Sequence, residues 1–101
     1  MVVYNITLRI EPEIEAEWLQ WQRQEHIPEV LATGKFTGYR FFRLLDRPAE
    51  EGLTFVVQYF ADSMSAYEDY IRNYAPGLRQ KAFDKWGEQF VAFRTVMEEV
   101  S

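Results

Sequence analysis

His26 is the only histidine in the chain, and it stands two residues ahead of Pro28 in a stretch that otherwise has the rhythm of one helix. An imidazole titrates close to neutrality, so modest surroundings decide whether it gives, takes or shares a proton. Proline removes a backbone donor and crowds the preceding turn, so the helix has to kink or restart beside that imidazole. Glu25 is the second candidate for proton transfer. An ideal helix aligns it with Ile14, Trp18 and Trp21 on the side that should face a core, where a carboxylate against indoles has its charged form disfavoured. Each residue also has a plain reading. A lone histidine at a helix break is more often a cap or a surface hydrogen-bonding group, and a kink at Pro28 would return Glu25 to solvent.

Arg9, Arg40 and Arg94 fall within strand-like segments, where fixed guanidinium groups can form a directional pocket for a carboxylate or phosphate. Asn5 and Gln58 add neutral donors, and Trp21 adds an aromatic wall. The candidate ligand-binding set is therefore Asn5, Trp21, Arg40, Gln58 and Arg94, gathered in one pocket with His26. The same arginines could instead cross an interface between two copies and pair with Glu98 or Glu99. Arg40 and Arg43 point to opposite faces of their strand, so either can join the group. Trp18, Trp21 and Trp86 read first as core and second as cavity walls. No metal site is expected: with one histidine and no cysteine the ligands would be mainly carboxylates, and no Asp-rich calcium loop is present. The glycines, Gly34, Gly38, Gly52, Gly77 and Gly87, are too scattered for a phosphate loop, so no cofactor is expected either.

These side chains need a scaffold, and its elements can be read along the chain. Val2, Tyr4, Ile6, Leu8 and Ile10 alternate with Val3, Asn5, Thr7 and Arg9, which predicts a strand. Glu11-Pro12-Glu13 opens a helix, with proline in the first turn and Glu11, Glu13, Glu15 and Glu17 near the positive end of its dipole. Ile14, Trp18, Trp21, Glu25 and Pro28 keep helical spacing, and Gly34 offers a left-handed stop. Phe36 to Leu45 and Leu53 to Phe60 read as a hairpin about a polar turn at residues 46–52. Asp62 or Ser63 can cap a helix carrying Met64, Tyr67, Ile71, Tyr74 and Leu78, which Pro76-Gly77 splits. After Gly87 a last strand runs from Phe90 to Met97.

Strand, helix, strand, strand, helix, strand is the split β-α-β order of an α+β, ferredoxin-like βαββαβ sandwich with a four-stranded antiparallel sheet. Residues 1–101 are expected to form a single domain. Both helical segments should cover one face. By alternation the other face carries Asn5, Thr7 and Arg9, then Val56, Gln58 and Phe60, then Ala92, Arg94 and Val96. It is too apolar to leave bare, and Phe, Tyr and Trp make up 17% of the chain, more than so small a core comfortably hides. A homodimer closed over that face is the expected solution. A net charge of -5 opposes nucleic acid and anionic membrane surfaces. No apolar run reaches the ~20 residues of a membrane span, and no basic-then-apolar leader opens the chain. With no cysteine, a cytoplasmic location is the default.

Trp18-Leu19-Gln20-Trp21, His26-Ile27-Pro28-Glu29-Val30, Ala32-Thr33-Gly34, Val57-Gln58-Tyr59-Phe60, Tyr74-Ala75-Pro76-Gly77-Leu78-Arg79 and Phe90-Val91-Ala92-Phe93-Arg94-Thr95 together resemble a family of short bacterial proteins known only as a domain of unknown function. The resemblance runs over nearly the whole chain. It implies a ferredoxin-like protomer of the dimeric α/β-barrel superfamily. That superfamily includes cofactor-free monooxygenases acting on aromatic polyketides, lactone isomerases, haem-dependent enzymes and ligand-binding regulatory domains, so the resemblance leaves activity open. In the monooxygenases Asn, Trp, Tyr, Arg or His contact an aromatic substrate between helices and sheet, types that Asn5, Trp18, Trp21 and His26 supply here. A haem role would make His26 the sole imidazole ligand. The leading expectation is a homodimer binding an aromatic or anionic metabolite. The alternatives are a cofactor-independent monooxygenase or isomerase, with His26 or Glu25 moving the proton and Asn5 or Arg94 stabilising an enolate-like oxygen, and a structural dimerisation module without ligand.

Overall fold

The computed structural model describes residues 1–46, 48 and 52–101, and within them the expected order of elements is present. Strand β1 spans Val2–Ile10, β2 Gly38–Arg43, β3 Leu53–Ala61 and β4 Phe90–Glu98. They form one antiparallel sheet in the order β2-β3-β1-β4. Most of the turn expected at residues 46–52 lies outside the described residues. Strand β2 is shorter than the Phe36 to Leu45 run suggested, because Phe36 leaves the strand line and packs in the core against Tyr59 and Tyr70.

The first helical segment is α1 (Glu15–Trp21), a π-helical turn (Gln22–His26) and α2 (Ile27–Ala32), one continuous right-handed run. The wide turn has a local cause. Pro28 has no N–H to give to Gln24 and its ring would press on that carbonyl, so opening the turn by one residue relieves both problems. The signature bond is Ile27 N–H to the Gln22 carbonyl, five residues back. The extra residue rotates everything after it, and this corrects the ideal-helix phase. Glu25 and Pro28 are exposed, whereas Ile27 and Val30 are buried. Gly34, at φ 76°, ends the run as expected.

Helix α3 spans Met64–Asn73 and α4 Ala75–Trp86, with Pro76 in the first turn of α4 and Gly87 at φ 58° closing it. Ser63, not Asp62, caps α3: its Oγ accepts from the Ala66 N–H at 3.1 Å. Replacing Ser63 by Ala is expected to cost about 1 kcal/mol, read as a lower melting temperature with unchanged secondary structure.

Both helical segments pack on the sheet face formed by the even positions of β1 and the odd positions of β3. Trp18 meets Phe55 with ring centroids 5.0 Å apart, and Tyr4 meets Tyr67 at 5.3 Å. Register then fixes the last strand. Ile6 pairs with Arg94 and Leu8 with Ala92, so Ala92, Arg94 and Val96 lie on the helix side, opposite to the sequence reading. The helix-free face of β4 carries Val91, Phe93, Thr95 and Met97 instead. Both parities of β4 look alike, since each mixes apolar and polar residues, so alternation alone could not choose between them.

The helix-free face is organised in cross-strand rows. Arg40, Gln58, Asn5 and Thr95 form a polar row, with Gln58 Nε2 donating to Asn5 Oδ1 at 3.3 Å. On one side of it run Phe42, Val56, Thr7 and Phe93, and on the other Gly38, Phe60, Val3 and Met97.

Candidate functional site

The wide turn in the first helical segment aims Gln22 and His26 at a space bounded by β1, β3, β4 and α4. A cavity of about 50 Å³ lies there, lined by Tyr4, Trp18, Trp21, Gln22, His26, Tyr59, Tyr70, Trp86 and Arg94 among others. A void of that size holds a few waters and is about a third of the volume that takes a benzene ring.

His26 lies over Trp21, ring centroids 4.8 Å apart and 20° from parallel. Burial holds its pKa down, from 6.5 to about 4; Glu29 opposes that fall, while Lys81 and Arg94 add to it. Lys81 reaches from α4 to Glu29 on α2 with Nζ–Oε2 at 2.8 Å, closing one flank of the site with an ion pair. At neutral pH His26 is therefore an uncharged imidazole, one donor and one acceptor. Burial pushes the phenols of Tyr59 and Tyr70 upward, so both remain protonated. Tyr4 Oη accepts from Arg79 Nη2 at 2.9 Å. Two polar atoms on the cavity wall have no partner: Gln22 Oε1 and Trp86 Nε1. Buried polar groups are nearly always paired, so two orphans lining one cavity mark a place where something else completes the bonding.

The structure divides the residues that the sequence placed in one pocket. Trp21, His26 and Arg94 lie together on the helix side. Asn5, Arg40 and Gln58 lie on the helix-free face, separated from the cavity by the thickness of the sheet. Glu25 is on the outer surface of the wide turn, beside a shallow groove with Glu17, Gln20 and Lys85. Arg43 faces the helix side, above the Phe55 ring at 4.9 Å and paired with Glu15. The tryptophans are both core and cavity wall.

Gln22 is the residue that sequence reading passed over. Its signal was spacing: Trp18, Gln22 and His26 are four residues apart, so the amide lies between a buried indole and the imidazole on one helical stripe. Among the described residues no group of three His, Cys, Asp or Glu side chains is placed to hold a metal, and no helix is long and apolar enough to cross a membrane.

A four-stranded antiparallel sheet in this order, with helices on one face and a cavity between the layers, defines an α+β, ferredoxin-like protein. Within that class the chain belongs to the family described as Domain of unknown function (DUF4286), whose family model matches residues 1–100. No curated protein matches it. Among solved structures it is similar to an ethd family protein from Bacillus halodurans, at 16% identity and TM-score 0.72, covering 99% of this chain and 100% of that one. It is similar also to a candidate antibiotic biosynthesis monooxygenase from Deinococcus radiodurans, at 21% identity and TM-score 0.69, covering 100% and 94%. A third is a dimeric ferredoxin-like protein from an uncultured marine organism, at 15% identity and TM-score 0.66, covering 100% and 96%. At these identities the likeness is one of fold.

Proposed function

We propose that this protein is a homodimer that binds a small aromatic or anionic metabolite at the cavity between its helix layer and its sheet. The observation that carries the reading is the cavity itself, with indole walls from Trp18, Trp21 and Trp86 and polar groups from His26 and Arg94. Aromatic walls with a few convergent polar groups are the usual build of a ligand site. The neutral state of His26 supports binding ahead of proton transfer. A base whose conjugate acid has a pKa of about 4 takes a proton at neutral pH only at a cost of about 4 kcal/mol. The monooxygenase neighbour keeps oxygenation as the second reading of the same cavity, with Arg94 stabilising a developing oxyanion.

The dimer rests on the helix-free face. Phe93 is 59% exposed and Val91 50%, and with Phe42, Val56 and Met97 they make an apolar surface that a second copy can cover. The dimeric neighbour lends support by fold.

Two measurements test the proposal. Light scattering at micromolar concentration is expected to give twice the monomer mass, and Phe93→Asp to give the monomer; a monomeric parent protein would refute the dimer. Titration with benzoate and with phenol is expected to change tryptophan emission saturably for at least one of them, and silence to both would count against the cavity as a metabolite site.

A further inference from the structure

The chain carries 16 acidic residues against 11 basic ones, yet the lining of the cavity reverses that balance. Among the described residues that line it, none is an aspartate or glutamate, while Arg79 from α4 and Arg94 from β4 both do. Each is exposed as well as lining, so the two stand at the mouth. Their charge reaches inward: both oppose the upward push that burial gives the Tyr70 phenol, and Arg94 helps to keep His26 neutral. Glu29, the carboxylate whose charge is felt at His26, is held through both its oxygens by Lys81, at 2.9 and 2.8 Å. Among the described residues neither Arg79 nor Arg94 is paired with a carboxylate. Arg79 spends one N–H on Tyr4 Oη, and its guanidinium has others to give.

The inner wall donates as well. Trp86 Nε1–H is buried without a partner. Gln22 Oε1 is unpaired as placed, and a turn of the amide presents its NH₂ to the cavity instead. Between these donors the wall is hydrocarbon from Ile6, Leu8, Val57 and Ala82.

We infer that the cavity takes the carboxylate end of a small organic acid, held by Arg79 and Arg94 at the mouth with Trp86 and Gln22 behind it. A carboxylate has acceptors alone and so suits a wall of donors, and its bonds to guanidinium are charge-assisted. Water would complete the buried N–H but would leave two arginines facing one cavity with no counter-charge. A carboxylate group takes the room of about two waters, so it enters a space of about 50 Å³ that excludes a ring, and a larger acid keeps its remainder outside. Inorganic phosphate has no apolar part to meet the hydrocarbon wall. This inference rests on the reading of the cavity as a ligand site and chooses the anionic class for it.

The test titrates the full chain with acetate, acetamide and inorganic phosphate at constant ionic strength, followed by tryptophan emission and by melting temperature. Acetate and acetamide share shape and differ in charge, so acetate is expected to bind at least about tenfold more tightly. Arg94→Gln is expected to remove that preference. Arg79→Gln is expected to do the same, and reports independently should Arg94→Gln fail to fold. Arg72→Gln makes the same change of charge on α3, away from the cavity, and is expected to leave acetate binding as it was. Equal binding of acetate and acetamide, tighter binding of phosphate, or an equal loss in Arg72→Gln would each overturn the inference while leaving a ligand cavity in place. So would silence to acetate beside a response to phenol. Silence to acetate, acetamide, benzoate and phenol together would mean that the space holds only water and would overturn both readings.

Discussion

Trp18→Ala is expected to lower the unfolding free energy by about 3–5 kcal/mol, a large share of what holds a domain of this size together. Trp18 is 1% exposed and stands where α1 meets the sheet, its ring 5.0 Å from Phe55 and 6.0 Å from Phe41. Truncation deletes a large buried apolar surface in that layer and opens a void continuous with the cavity. Urea unfolding followed by far-ultraviolet dichroism reads the effect, with Trp18→Phe as the control that retains much of the packing. A loss below 1 kcal/mol would mean that Trp18 is not the keystone between helix and sheet.

Acid is expected to weaken the protein through one side chain. In the folded state the His26 pKa lies at about 4 and in the unfolded chain near 6.5, so between those values the unfolded state binds more protons. The stabilisation from keeping His26 neutral is complete above pH 6.5 and is lost progressively as pH falls toward 4. Between pH 7 and pH 5 the loss is about 2 kcal/mol, in a window that lies above the ordinary carboxylate range. His26→Gln removes the titration, and its unfolding free energy should be flat over the same interval. Parallel slopes for the parent protein and the variant would show that the imidazole is solvated.

The elements were legible in the sequence wherever one physical signal acted alone. Strand β1 alternates cleanly because one of its faces is core, and the ends of the helices carry Gly34, Ser63 and Gly87, whose chemistry stops or starts a helix. Two features were not legible, for the same reason. The face that β4 turns to the helices is set by pairing with β1, a contact distant in sequence, while its own two faces are of similar polarity. The direction of Glu25 and His26 depends on how the backbone relieves Pro28, and a kink, a restart and a wide turn all answer the same local conflict. Because the site hangs on those two features, His26, Trp21 and Arg94 could be named as candidates while Asn5, Arg40 and Gln58 were grouped with them across a sheet that separates them. Gln22 drew little notice because a glutamine within a helix is ordinarily a solvated residue.

The wide turn amounts to a single-residue insertion absorbed in place. Shortening it by one position would restore ordinary helical pitch only with Pro28 replaced as well, and would then leave Trp18 before it and Ile27 and Val30 after it in place. The anchors on either side, and not the turn itself, fasten this segment to the sheet. Positions 22 and 26 line the cavity from that turn, so exchanges there alter its wall while the residues that seat the helix are left alone.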